Sequence, residues 1–553
     1  MPTESPLVRR SLFLGLALAI TVGLVALAVA VLAPGGWTAW EILILLCYLG
    51  TVPWSALSAA NALVGLVILL AAKDPPAAVL PALRAARPDP PSGRTAIAIC
   101  IRNEDMGAVL PPLGRLMDGL PPDLFALWVL SDTPGGPSAE AEEAAVRTFA
   151  ADRPNVHYRR RSVNEGFKAG NVMDFLDHHA AGLDYFLCLD ADSEMTPAAV
   201  LRLVACMEAD DRLAIVQQLI HGLPATAAFP RLFQFGMRQG MRSWATGQAW
   251  WQGDEGPYWG HNALIRIAPF RELCRLEPLP DGSRILSHDQ VEATRLHAAG
   301  WKVRVLPDDT GSAEGNPPTF GDFVIRDLRW AGGNMQYLAL LRLPGMTPMA
   351  RWQLMQAILL FLGAPLWCAI LVLAAGNALT GGGATTPTGA LVALLAATWA
   401  CHYAPKLAGY AEVLLKPALA DRYGGRTAFA RGAAAEIAFT TLMEPARLMA
   451  QTLFLIALPF GLKVGWTAQN RADRGVSWVD AARQFWPPTL AGLVLTWLFA
   501  MASPLALLLA LPVLASLLLT IPFAVVTADP GVSARLRHAG ICALPEEIGG
   551  AMR

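Results

Sequence analysis

Two hydrophobic patterns alternate along this chain. Near both ends, apolar residues run on with almost no charge over lengths that suit a bilayer-crossing helix. In the middle, apolar residues come in short runs between polar clusters and turns, which read as buried strands. Residues 12–32 and 42–72 predict two N-terminal transmembrane helices within a first segment, 1–73. A signal peptide does not fit, because the first apolar run is too long and a second follows at once. Residues 74–93, rich in proline, read as a linker.

From residue 94 to 345 the texture is that of an α/β domain. Residues 95–101, 124–130, 156–160 and 185–189 read as strands, and amphipathic or acidic stretches between them read as helices, including 171–180 and 288–299. The β-α-β-α order predicts a mostly parallel sheet with helices on both faces. Long apolar runs then return over 346–527, with spans at 353–375 and 389–415 and room for two helices turning at Ser503-Pro504 within 490–526.

The distribution of basic residues sets the expected orientation. Arg9 and Arg10 precede the first span, and Lys416, Arg422, Arg426 and Arg431 follow 389–415. Lys463, Arg471, Arg474 and Arg483 form a second basic stretch. Both lie on the cytoplasmic side by this rule, so 437–462, which contains Glu444 and Arg447, is expected to be interfacial, re-entrant or a tight hairpin. The α/β domain, both termini and the tail 528–553 come out cytoplasmic.

Composition agrees with a polytopic membrane protein: 54% of residues are hydrophobic and 16% charged, with mean hydropathy +0.40. A net charge of −1 gives no electrostatic reason to expect a nucleic-acid partner. The eight cysteines show no CxxC pairing or zinc spacing and read as structural.

The chemistry is sought where the strands end. Asp190 and Asp192 close the fourth strand, where open α/β sheets collect ligands. Spaced two apart on an extended chain they face one way, and two hard oxygens suit a divalent cation completed by water and a diphosphate. They also fit a pair of solvated loop aspartates. Asp132 closes the neighbouring strand and can accept a base N–H, or is a turn aspartate before Pro134. Lys168, between glycines at a helix start, can meet phosphate or simply be solvated. Asp289 opens a helix, as a general base or as a dipole-favoured acid. In Arg326–Trp330, RDLRW, arginine offers a fork for phosphate and tryptophan a face for a sugar, or the stretch is an amphipathic helix at a membrane surface.

The order of these groups narrows the choice. The sequences LSDT (130–133), RRR…N…KAGN (159–171), LDADSEM (189–195), WGHNALIR (259–266), ILSHDQVEATRLHAAGW (285–301), GSAEGNPPT (311–319) and RDLRWAGGNMQY (326–337) resemble those of the processive inverting glycosyltransferases, which include cellulose synthase and hyaluronan synthase. The closer resemblance is to the branch that makes the backbone of osmoregulated periplasmic glucans, and it continues into 464–478. Cellulose synthases carry glutamine where Arg326 stands. Arg102, Phe167 and Gly332 depart from the usual aromatic, arginine and glutamine.

The resemblance implies a GT-A-like α/β cytoplasmic domain inserted between transmembrane helices of a bacterial inner-membrane protein. It implies UDP-glucose as donor, Mg2+ or Mn2+ as cofactor and a growing β-1,2-glucan as acceptor, with periplasmic glucan-modifying proteins as possible partners. Another processive β-glycan synthase is the alternative. By the same resemblance Asp132 and Lys168 would hold the nucleotide, and Asp190 and Asp192 the diphosphate and its metal. Asp289 would be the base, Arg329 would meet the leaving diphosphate, and Trp330 and His261 would meet the acceptor.

Overall fold

The computed structural model describes residues 5–86, 90–462 and 474–549. Ten strands can be numbered in chain order: β1 Thr95–Ile101, β2 Phe125–Ser131, β3 Val156–Arg160, β4 Tyr185–Asp190, β5 Ser193–Met195, β6 Leu213–Gln218, β7 His221–Gly222, β8 Ala263–Arg266, β9 Lys302–Leu306 and β10 Ser312–Glu314. Seven build one sheet in the order β3-β2-β1-β4-β8-β6-β9, and three build a small one, β5-β10-β7. The pairs among β3, β2, β1 and β4 are parallel, as the sequence predicts. β8 runs antiparallel to both its neighbours, so the whole sheet is mixed.

Alternation along β1 shows why it is central. Ile97, Ile99 and Ile101 pack on one face with the helices Met106–Asp118 and Pro197–Glu208. Ala96 and Ala98 pack on the other with Phe167–His178 and Ile267–Leu273. A strand buried on both faces needs apolar residues at every position, which is what TAIAICI supplies. The chain leaves β1 toward β2 on one side and reaches β4 on the other, so the ends of these three strands form a topological switch point.

Among the described residues, four single helices are long and apolar enough to cross a membrane: Pro6–Leu32, Ala39–Ala71, Pro348–Leu379 and Trp478–Ala502. Pro504–Leu518 and Thr520–Thr527, bent by 54°, make a further candidate span. The turn at Ser503-Pro504 falls where the sequence puts it: Ser503 is extended and its side chain caps the next helix through Ala506 N. Thr388–Leu415 is also one helix, interrupted in its apolar sequence by His402, Lys406 and Glu412.

Two further long helices pack with these. First, residues 437–457 of the stretch 437–462, expected to be interfacial, re-entrant or a tight hairpin, belong to one helix without a hairpin turn, Arg426–Ala457, which takes in Pro445 and begins among the basic residues assigned to a loop. Helix propensity continues through Arg426–Arg431, and Pro445 is accommodated without a break. Second, Ala228–Gln252, inside the α/β region, is a helix that packs against Ala39–Ala71 and Thr388–Leu415. The backbones meet closely there. A Cβ on Gly65 would lie 1.9 Å from the Ser243 carbonyl oxygen, and one on Gly247 2.1 Å from that of Asn61. Trp251 Nε1 donates to Asn61 Oδ1 at 2.9 Å.

Residues 530–549 fold back on this helix. Arg231 Nη1 meets both oxygens of Glu547, at 3.0 and 2.8 Å. Arg238 forks onto Glu546 at 2.7 and 3.0 Å and onto Asp309 at 2.7 Å. Leu544 is fully buried beside Phe235. Residues 463–473, which hold Lys463, Arg471 and most of the 464–478 motif, lie outside the described residues.

Candidate active site

β2 delivers Asp132 and β4 delivers Asp190 to the switch point, one on each side of β1. Asp132 is buried, and Arg161 Nε and Nη2 each donate to one of its oxygens at 2.8 Å. Arg161 also donates to the carbonyls of Glu165 and Phe167 at 3.0 and 3.1 Å. It thereby fixes the loop that launches the helix Phe167–His178, with Gly166 in the left-handed region (φ +72°) just before it.

Lys168 stands in the first turn of that helix. Its ammonium donates to Asp190 Oδ1 and, at 2.8 Å, to the Gly260 carbonyl. Burial works against this charge, but Asp190 prevails and holds the ammonium above its ordinary range.

Gly260 joins two parts of the site. A Cβ there would lie 3.5 Å from that of Asp289, an ordinary contact distance, so Asp289 stands next to the segment that Lys168 holds. Burial raises Asp289 above the ordinary carboxylate range, and neighbouring His288 offsets part of the effect. His288 Nδ1 is 3.0 Å from Glu292 Oε2.

Asp192 lies one residue past Ala191, in the turn after β4. The strand stops at Asp190, so strand alternation does not set the relation of the two carboxylates; the turn does, held by Asp190 N donating to Ser193 Oγ at 3.1 Å. Gly315 N donates to the Asp192 carbonyl at 3.2 Å. Among the described residues no group of three His, Cys, Asp or Glu side chains forms a protein-only cation cage. Two carboxylates at a strand end do fit a cation that takes its remaining ligands from water and a diphosphate.

His261 lies beside this pair. Its Nδ1 is 3.4 Å from Ser193 Oγ, and its Nε2 is 3.4 Å from Glu314 Oε2. Burial raises the Glu314 carboxyl, with His261 and Arg326 offsetting it and Asp192 and Asp190 adding to it. Arg329 is buried and Trp330 is half exposed on the helix Phe320–Met335. The Arg326 guanidinium stacks over the Trp330 ring, 4.8 Å from its centroid.

The structure therefore brings Asp132, Lys168, Asp190 and Asp289 together along one connected path. It sets His261 against Ser193 and Glu314, beside the aspartate pair. Arg161, Gly260, Glu314 and Arg326 are site residues to which sequence reasoning gave no individual role. All four lie within or next to the motif segments, and the RRR run and GSAEG were the signals available.

Carboxylates and a lysine at the switch point of such a sheet, with a raised carboxyl opposite and spanning helices attached, define a GT-A-like α/β glycosyltransferase built into a membrane protein. The family model described as Glycosyl transferase family group 2 matches residues 185–526. Glucans biosynthesis glucosyltransferase H of Xanthomonas campestris pv. campestris (strain B100) is 31% identical over 571 residues, covering 98% of this chain and 87% of that protein. The protein of the same name from Caulobacter vibrioides (strain NA1000 / CB15N) is 33% identical over 524 residues, covering 88% and 77%. Among solved structures, a mannosyltransferase from Pyrobaculum calidifontis in complex with GDP-Man and Mn2+ aligns at 18% identity over 65% of this chain and 99% of that one, with a TM-score of 0.40. The chain belongs to the glucans biosynthesis glucosyltransferase H family.

Proposed function

We propose that this protein polymerises glucose from UDP-glucose into the linear β-1,2-glucan backbone of periplasmic glucans, with inversion at each transfer. The observation that carries the reading is the position of Gly260, bonded to Lys168 on one side and against Asp289 on the other. A sugar whose phosphate lies toward Lys168 and Asp190 would have its anomeric carbon near Asp289.

In the proposed step Asp289 takes the proton of an acceptor hydroxyl as its oxygen attacks the anomeric carbon. The C–O bond to phosphate breaks, its electron pair leaves with UDP, and an α-linked donor gives a β-linked product. Asp132, steadied by Arg161, would receive the uracil N–H through its remaining lone pairs. Lys168 and Arg329 would offset charge on the departing diphosphate. Asp190 and Asp192 would hold Mg2+ or Mn2+, which when bound supplies positive charge at the same diphosphate. Trp330 would offer its exposed face to the acceptor, with His261 nearer the aspartate pair. On this reading the catalytic domain faces the cytoplasm of a bacterial inner membrane. The product would leave through the protein's own spanning helices toward periplasmic modifying proteins.

The test is incorporation of labelled glucose from UDP-glucose by purified protein in vesicles with Mg2+, beside Asp289→Asn and with linkage analysis. A β-1,2-linked polymer absent from the variant supports donor, linkage and base together. Polymer of another linkage moves the protein to a different β-glycan synthase, and no transfer by well-folded wild type overturns the proposal.

A further inference from the structure

The sequence leaves Glu444 and Arg447 as two charges in a long apolar stretch with no role. The structure gives them a partner 120 residues earlier in the chain's fold, on the helix that carries Trp330. Asp327 is buried. Gln451 Nε2 donates to its Oδ2 at 2.7 Å, and Arg447 Nη1 is 3.6 Å from its Oδ1. Arg447 is in turn held by Glu444, at 3.0 and 2.6 Å. Glu444, Arg447 and Gln451 all belong to the helix Arg426–Ala457.

The helix Phe320–Met335 is held as tightly on its other side. A Cβ on Gly333 would lie 2.2 Å from Ser287 Oγ, two residues before Asp289. Gln336, just past the helix, accepts from Leu286 N at 2.9 Å and donates to the Arg284 carbonyl at 3.0 Å. Tyr337 donates to the Ser287 carbonyl at 2.8 Å. Facing the membrane helices, the Phe454 ring stands 3.4 Å from where a Gly332 Cβ would be, and Asn334 donates to the Ala357 carbonyl at 3.1 Å. The adjacent glycines thus let one helix fit between the segment carrying Asp289 and the helix Arg426–Ala457. Shape alone leaves such a helix free to slide along its neighbour. A buried carboxylate paired with a fixed arginine does not, because breaking the pair leaves an uncompensated charge.

We infer that the Asp327–Arg447–Glu444 bridge registers the Trp330 helix on the helix Arg426–Ala457, which packs on the candidate span Pro348–Leu379, and that this register sets how long a glucan grows before it is released. The inference rests on the processive reading proposed above. Chain length reflects competition between elongation and release. Gln336 and Tyr337 tie the Asp289 segment to the end of this helix through Leu286, Arg284 and Ser287 whether or not the bridge is made, so transfer to a bound acceptor does not need the bridge. Retention of the acceptor between transfers does, because the acceptor face and the exit helices must hold their relation as the chain advances. Asp327 is therefore a positioning residue, and touches neither donor nor acceptor.

The experiment uses the full chain in vesicles with UDP-glucose and Mg2+, and reads UDP release and product length separately. For Asp327→Asn and Arg447→Met the expected result is UDP release within about twofold of wild type and mean product length reduced at least about threefold. Asp327→Glu, which keeps the charge, is expected to recover much of the length. Unchanged product length overturns the inference. So does UDP release that falls as far as length, since that describes a general structural defect. If Asp327→Asn does not fold, Glu444→Gln removes the charge that holds Arg447 and leaves Asp327 its hydrogen bond from Gln451, and the same two readouts decide. Wild type that releases UDP but builds no polymer overturns the processive reading itself, and the inference with it.

Discussion

Arg161 grips both carboxylate oxygens of Asp132, with Nε and Nη2 each 2.8 Å from one of them. Lysine cannot reproduce a planar fork. Arg161→Lys is expected to leave Asp132 loosely held and to free the carbonyls of Glu165 and Phe167, which set the start of the Lys168 helix. The dissociation constant of UDP should rise about tenfold, the scale of one charged hydrogen bond lost, with a smaller change in kcat. Calorimetric titration with UDP measures it, and an unchanged affinity would remove Asp132 from the nucleotide side.

Asp289 can act as a base only when ionised, and burial raises its carboxyl above the usual range. The acid limb of kcat/KM should therefore lie above the ordinary aspartate value, and Asp289→Asn should cost about 10²–10⁴ in rate. The same shift fixes a stability effect. A carboxyl raised in the folded state contributes stability that is complete below its unfolded pKa and is lost as pH rises through the folded one. At neutral pH the ionised group is a net cost. Asp289→Asn should match or exceed the wild-type melting temperature at pH 7 while losing activity, and a clear drop would show that the carboxylate is structural.

Chelation of divalent cations should reduce transfer at least about 10²-fold, since metal charge at a phosphate contributes several kcal/mol. Added Mg2+ or Mn2+ should restore it. Asp192→Asn should need more metal for half-maximal rate, whereas Glu314→Gln, which meets His261, should keep the wild-type metal requirement. Metal titrations of initial rate separate the two.

Gly65 and Gly247 face each other's helix backbones at distances no Cβ tolerates. Gly65→Ala must push the helices Ala39–Ala71 and Ala228–Gln252 apart, at a cost of about 1–3 kcal/mol. A lower melting temperature in detergent should result. Gly15, with open space around it, is the control: Gly15→Ala should leave the melting temperature unchanged.

The parallel half of the sheet was legible because β1, β2 and β4 are short apolar runs, the last two leading into Asp132 and Asp190, with turns between them. The antiparallel β8 was not, since ALIR looks the same whichever way it runs and its direction depends on pairing with β4 and β6. Lys168 and Asp289 stood out as charged residues at helix starts, but Gly260, which joins them, has no side chain to notice. Ala228–Gln252 drew no reading, because arginines and glutamines recur along it and the partners that bury them lie elsewhere in the chain. In the fold Arg231, Gln234 and Arg238 are buried against partners far away in sequence.

Those partners give the fold an order in time. A ribosome delivers Arg231 and Arg238 some three hundred residues before Glu547 and Glu546. Until then Arg238 has only Asp309 and Arg231 has no carboxylate, so Arg231 above all needs water or a chaperone in the meantime. The strands of the catalytic sheet can pair as they emerge, yet the helix beneath them cannot settle until residue 547 is free of the exit tunnel. Nascent chains halted short of that point should hold an assembled sheet over an unfinished base, so that the site at the switch point is complete only once the helix Pro545–Ile548 has been made.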